Sequence, residues 1–169
     1  EAVQTLHAND VEVSMLTGDN TRTARALAEI AGIDDVRAEL RPEDKASIVA
    51  EFSSKTPTAM IGDGINDAPA LAGATVGIAM GATGSDAAID SADVAFTGHD
   101  LRLIPQALQH ARRGSRIINQ NIVLSLAIII VLMPLAISGV LGLAAVVLVH
   151  EVAEVIVILN GLRAARAKR

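Results

Sequence analysis

Between Arg116 and Glu151 the chain carries no Asp, Glu, Lys or Arg. From Ile122 to Val149 the residues are almost all Leu, Ile, Val and Ala, and the apolar character continues to Leu162. A bilayer crossing takes about 20 apolar residues, so this run is too long for one span and suits two. Ser138-Gly139 and Gly142 supply the break, giving expected spans over 121–138 and 143–162 joined by a very short turn. Pro134 lies inside the first span and is expected to kink it, which a membrane helix tolerates where neighbours satisfy the freed carbonyl. Arg112, Arg113 and Arg116 precede the first span, while Arg163, Arg166, Lys168 and Arg169 follow the second. A hairpin puts both clusters on one side of the membrane, as the positive-inside rule requires; a single span does not. The alternative, a buried helical hairpin in a soluble core, is disfavoured by the length of the uncharged run.

The rest of the chain is a different kind of protein. Residues 1–109 hold seven basic and 17 acidic residues, a net charge of -10, against +5 for residues 110–169. There is no cysteine, which excludes disulfides, thiolate metal clusters and a cysteine nucleophile within these 169 residues. Phe52 and Phe96 are the only aromatics, so base stacking has little to work with and no nucleic-acid partner is expected. Glu1 opens what reads as a helix, with no initiator Met, and the chain is expected to be the C-terminal piece of a longer one.

Strand and helix patterns alternate through residues 1–99. Val11 to Leu16 reads as a strand ending in Thr17-Gly18-Asp19-Asn20. A helix follows with Ala24, Leu27, Ala28 and Ala31 on its inner face and Gly32 as its stop. Val36 to Leu40 alternates as a second strand, Pro42 starts a helix, and Ile48, Val49 and Phe52 face inward from it. Thr58 to Ile61 is a third strand that runs into the motif Gly62 to Leu71, opened by the loop Gly62-Asp63-Gly64. Thr75 to Ala79 and Asp93 to Phe96 are further strands, with Ser85 to Ser91 a helix between them. The fold class expected is α/β: a Rossmann-like parallel sheet with flanking helices, followed by a transmembrane helical hairpin. In such sheets ligands lie beyond the C-terminal strand ends, where the loops after residues 16 and 61 both fall. From Asp100 a helical pattern (Leu101, Ile104, Leu108, Ala111) continues through the arginines, so a stalk helix over 100–120 is expected to run into the first span. The expected organisation is thus 1–99, 100–120, 121–162 and a basic tail at 163–169.

The polar residues at that rim have a common chemistry. Asp63 and Asp67 bracket a turn opened by Gly62 and Gly64. Carboxylates on such a loop suit Mg²⁺, which wants oxygen ligands. The glycines let backbone N–H groups approach a phosphate. Thr17 offers a hydroxyl, Gly18 a backbone donor and Lys45 a compact positive charge. Such parts stabilise a transferring phosphoryl group.

These residues resemble the C-terminal half of the phosphorylation domain of P-type ATPases, a partial haloacid-dehalogenase fold. Thr17-Gly18-Asp19 is similar to the family's threonine loop, and Lys45, within Arg41-Pro42-Glu43-Asp44-Lys45, to its phosphate-binding lysine. Gly62 to Asp67, with Asn66, is similar to its hinge motif. There the resemblance implies that Asp63 binds Mg²⁺ and that Asp67 supports the site. It also implies ATP as substrate, an integral protein of the plasma membrane, and residues 1–120 and the C-terminus in the cytoplasm. The family's Asp-Lys-Thr-Gly-Thr segment, its actuator and nucleotide-binding domains and its earlier membrane helices would lie upstream, as partners in the same polypeptide. A membrane-anchored phosphatase of the same superfamily, or a catalytically incomplete regulator, is the alternative.

His150, Glu151 and Glu154 interrupt the second span. At 100° per residue, 154 lies about 40° from 150, and 151 about 60° beyond 154, so the three share one face. Ionisable groups in a bilayer are costly and point by default to an ion path. Imidazole with carboxylate suits Zn²⁺, Co²⁺, Fe²⁺ or Ni²⁺ better than Cu⁺, which prefers sulfur. His150-Glu151 followed by Val157 to Arg163 resembles the last helix of heavy-metal-translocating P-type ATPases, most of all their cobalt/ferrous-iron subgroup. Val152-Ala153-Glu154 stands where that subgroup has small residues and a threonine. The expected activity of the whole is ATP-driven export of a divalent transition metal.

Overall fold

Short strands separated by helices need crossovers, and parallel pairing is the outcome. The structure is a computed structural model that describes residues 1–62, 65–81 and 90–165. They separate into two units, 1–103 and 104–169. The first unit starts with α1 (Ala2–His7), β1 (Ser14–Leu16), α2 (Thr21–Ala31) and β2 (Asp35–Arg37). It continues with α3 (Pro42–Lys55), β3 (Ala59–Gly62), a 3-10 turn (Ile65–Asp67) and α4 (Ala68–Gly73). β4 (Val76–Met80) and β5 (Val94–Phe96) complete it. β1 pairs with β2, β3 with β4 and β4 with β5, every pair parallel. Among the described residues these form two ladders, β1-β2 and β3-β4-β5, where a single sheet was expected.

Local chemistry explains the helix ends. The Asn20 side chain accepts the Thr23 N–H at 3.0 Å and so caps α2, and Gly32 ends it at φ 74°. Pro42 is the first residue of α3, and the Asp44 carboxylate accepts the Arg41 N–H at 3.0 Å. The core joins Val49 of α3, Met60 of β3 and Ala70 and Leu71 of α4, with Leu16, Ala46 and Ala74 against it. β4 passes so close to α4 that a Cβ on Gly77 would stand 2.7 Å from the Leu71 carbonyl oxygen. The Arg37 guanidinium lies 4.7 Å from the Phe52 ring centre, tying β2 to α3.

Several expectations need correction. β1 covers only Ser14–Leu16 of the expected 11–16, because the chain before it is still leaving α1 through Asp10, which has φ 58°. β2 ends at Arg37 instead of Leu40, because Glu39 turns into the left-handed region at φ 59° and cannot continue a ladder. Leu27 is 49% exposed, not inward; the inner face of α2 is the small pair Ala24 and Ala28. Beyond Gly64, where the sequence assigned no element, the chain turns helical at Ile65, and α4 accepts Pro69 in its first turn while burying Ala70 and Leu71. The expected helix over 85–91 falls almost wholly outside the described residues.

The second unit is a helical hairpin. α5 (Leu103–Ile137) is one uninterrupted helix of 35 residues, about 50 Å long. It runs through the stretch expected as a stalk, and through Pro134 to an end one turn later. Gly139, at φ 73°, lets the chain reverse, and α6 (Leu143–Ala165) returns. Both helices are long and apolar enough to cross a membrane. Their large apolar side chains, among them Ile122, Val123, Ile130, Val147 and Ile158, are exposed around them, as in helices solvated by lipid. At the open end Asn160 Nδ2 donates to Asn121 Oδ1 at 2.8 Å, Asn121 Nδ2 to the Val157 carbonyl at 3.3 Å, and Arg113 to the Arg163 carbonyl at 3.1 Å. These bonds bring Arg113 and Arg163 to the same end of the hairpin. Arg166, Lys168 and Arg169 lie outside the described residues.

Candidate functional site

Lys45 is the fourth residue of α3, and Asp67 ends the 3-10 turn that follows β3. The Lys45 ammonium donates to Asp67 Oδ1 at 2.8 Å, with both side chains largely buried (17% and 14% exposed). Gly62, the last residue of β3, is pressed against the same carboxylate: a Cβ there would lie 2.8 Å from Asp67 Cβ and 3.0 Å from Oδ2. A glycine is therefore required where β3 ends. Asn66, beside Asp67, is exposed. Asp63 and Gly64 fall outside the described residues.

The loop after β1 is pinned from its own side chains and from the chain after β2. The Asp19 N–H donates to Thr17 Oγ1 at 3.1 Å, a hydroxyl turn that leaves the threonine proton to donate elsewhere. The Leu40 N–H donates to the Thr17 carbonyl at 3.1 Å and the Glu39 N–H to the Asp19 carbonyl at 2.8 Å. A Cβ on Gly18 would sit 3.2 Å from the Leu40 carbonyl oxygen. The Glu39 carboxylate accepts both the N–H and the hydroxyl of Thr21, at 3.2 and 3.0 Å. Sequence reasoning missed Glu39, which read as a strand residue; nothing short of its backbone angle marks it out. It also left Lys45 and Asp67 as separate contributors, where the fold pairs them.

The donor set suits the group expected there. Asp67 gives carboxylate oxygens at the C-terminal end of a parallel strand, the ligand type Mg²⁺ takes. Lys45 already holds one of those oxygens, so the cation and the lysine would share Asp67 rather than compete for separate sites.

In the second unit His150 and Glu151 line a cavity of about 370 Å³ between α5 and α6, with Ile128, Leu132, Met133 and Val146 among its apolar walls. Glu154 is not part of that lining; it approaches His150 Nε2 at 3.8 Å along the helix. Among the described residues no group of three His, Asp or Glu side chains is gathered to hold an ion.

The fold agrees with comparisons to known proteins. Residues 1–75 match the haloacid dehalogenase-like hydrolase family. Over almost its whole length the chain is homologous to cation-transporting P-type ATPases. It is 64% identical over 168 residues to the "Probable cation-transporting ATPase G" of Mycobacterium tuberculosis (strain ATCC 25618 / H37Rv), covering 99% of this chain and 22% of that one. It is 44% identical over 168 residues to the "Cadmium-transporting ATPase" of Staphylococcus aureus, covering 98% of this chain and 23% of the relative. A zinc-transporting PIB-type ATPase in the E2.Pi state superimposes with a TM-score of 0.92 at 41% identity, over 98% of this chain and 27% of that one. The chain thus spans about a quarter of the length of these relatives. Cadmium and zinc appear in their names; zinc is among the four ions expected from the sequence, cadmium is not, and no name points to the cobalt/ferrous-iron subgroup.

Proposed function

We propose that the chain is the C-terminal portion of an ATP-driven exporter of a divalent transition-metal ion, working through an aspartyl phosphate whose nucleophile lies upstream. The observation that carries this reading is the Lys45–Asp67 pair, held by Gly62 at the end of β3. A lysine oriented by a carboxylate is a fixed donor for a phosphoryl oxygen. Thr17 and the Gly18 amide supply further donors. Asp63, with Asp67 behind it, would hold Mg²⁺, which when bound neutralises phosphoryl charge. Residues 1–120 and the C-terminus would lie in the cytoplasm, with residues 121–162 crossing the plasma membrane.

His150 and Glu151 are the proposed ligands of the transported ion, since both face one cavity, with Glu154 a turn away beside His150. Imidazole and carboxylate favour a borderline ion, and the cadmium and zinc relatives put Zn²⁺ and Cd²⁺ ahead of Co²⁺, Fe²⁺ and Ni²⁺. The test is ATP hydrolysis by the full-length protein with Mg²⁺ and each metal in turn. Hydrolysis stimulated by Zn²⁺ or Cd²⁺ and abolished by Asp63→Ala is expected. Normal phosphoenzyme turnover in Asp63→Ala overturns the site, and phosphate release indifferent to every metal would instead favour a membrane-anchored phosphatase.

A further inference from the structure

Glu39 combines two features that no part of the proposed chemistry uses. Its backbone sits at φ 59°, a conformation that side chains other than glycine, Asn and Asp seldom adopt. Its carboxylate bridges to the first residue of α2, taking both the N–H and the hydroxyl of Thr21. Strain of this kind persists only where surrounding contacts hold it in place. The Glu39 N–H reaches the Asp19 carbonyl, and the next N–H, of Leu40, reaches the Thr17 carbonyl. The turn at Glu39 is what aims two successive amides at two carbonyls of the same loop.

Peptide planarity gives the consequence. In a trans peptide the C=O and the following N–H point in opposite directions. With the Thr17 and Asp19 carbonyls drawn toward residues 39–40, the amides of Gly18 and Asn20 are turned to the other side. The Thr17 hydroxyl is set by the Asp19 N–H within the same loop. The Glu39 carboxylate is engaged by the N–H and hydroxyl of Thr21.

We propose that Glu39 is a positioning residue: through Thr21 and Asp19 it fixes the loop 17–20 so that the Thr17 hydroxyl and the Gly18 amide meet a phosphoryl group. The inference rests on the phosphoryl-site reading above. The test uses the full-length protein and orthovanadate, a phosphate mimic, with ATP hydrolysis measured in parallel. Glu39→Gly suits the backbone angle and retains the donors of both main-chain bonds while removing the carboxylate with the rest of the side chain. It is expected to lower kcat and weaken vanadate inhibition about tenfold each, the worth of one charge-assisted hydrogen bond. KM for ATP should not move. Glu39→Gln keeps an oxygen acceptor for Thr21 and should stay within about threefold of the parent protein. Unchanged kcat and vanadate inhibition in Glu39→Gly, or a Gln variant as impaired as the Gly variant, overturns the proposal. Lys45→Met is the companion measurement. Wild-type vanadate inhibition in that variant removes the phosphoryl site itself and this inference with it, whereas a defect there beside a normal Glu39→Gly removes the inference alone.

Discussion

Lys45 Nζ stands 2.8 Å from Asp67 Oδ1, although 22 residues separate the two along the chain. Each is the other's counter-charge in a largely desolvated place, so the pair is a unit. Lys45→Met leaves the Asp67 carboxylate without its partner and is expected to cost about 1–3 kcal/mol of stability, the penalty of an orphaned polar group that is not fully buried. It should also abolish phosphoenzyme turnover in the full-length protein. Thermal unfolding and phosphoenzyme decay measured on the same preparation check both. Parent-like decay in a folded Lys45→Met protein removes the lysine from the site.

Gly62 gives a sharper version of the same experiment, because the change adds one methyl group and no charge. Its Cβ would fall 2.8 Å from Asp67 Cβ, well inside contact distance, so Asp67 has to move off Lys45. Gly62→Ala is expected to destabilise by about 1–3 kcal/mol, as overpacking does, and to suppress turnover. Gly73→Ala is the control: its new methyl meets nothing closer than the Ala46 carbonyl oxygen at 4.0 Å, at the end of α4, and should be neutral or mildly stabilising. Equal activity in the two variants counts against the crowding argument.

What could be read in advance follows from where the information sits. The hairpin was legible because an uncharged run is a property of composition: the expected break at 138–142 separates α5, ending at Ile137, from α6, starting at Leu143. The strand-helix alternation was legible for the same kind of reason. Residues whose role depends on one backbone angle or one distant contact were not. Glu39 alternates like a strand residue, yet leaves β2 for the left-handed region. Leu27 has the spacing of a core residue, but Ala24 and Ala28 are small enough to let α2 approach, and Leu27 stays outside. Lys45 and Asp67 were each identified, but their pairing belongs to the packing of α3 on the 3-10 turn, which no local pattern encodes.

Asp100 gives a pH test that does not depend on the proposed activity. Its carboxylate accepts two bonds from the Arg102 side-chain Nε, at 2.9 and 3.1 Å, one from Nη2 at 2.8 Å, and the Arg102 N–H at 3.0 Å. The side-chain bonds first, and the backbone bond after them, hold the Asp100 carboxyl below the ordinary aspartate range. A depressed folded-state value means that the contact stabilises above the unfolded-state value and is lost as pH falls through the folded one. A carboxyl carbon NMR titration should therefore place Asp100 below the ordinary aspartate range, and Arg102→Ala should return it upward. Because the pair is exposed, added salt should weaken the shift. A midpoint at or above the ordinary range contradicts the assignment.

The cavity between α5 and α6 separates the two carboxylates near His150. Glu151 shares with His150 the lining of the cavity between α5 and α6, while Glu154 lies outside that lining and meets His150 only at 3.8 Å. A ligand held in the cavity would lose a coordinating atom in His150→Ala or Glu151→Ala, and only a neighbouring charge in Glu154→Ala. Losing one ligand from a first coordination set commonly removes most of the affinity, whereas second-sphere changes cost about 10–100-fold. In the full-length protein, Zn²⁺ and Cd²⁺ stimulation of ATP hydrolysis should vanish in His150→Ala and Glu151→Ala. In Glu154→Ala it should survive with a raised half-stimulating concentration. Complete loss in Glu154→Ala with retention in Glu151→Ala would reverse the roles of the two carboxylates and move the ion to the other side of His150.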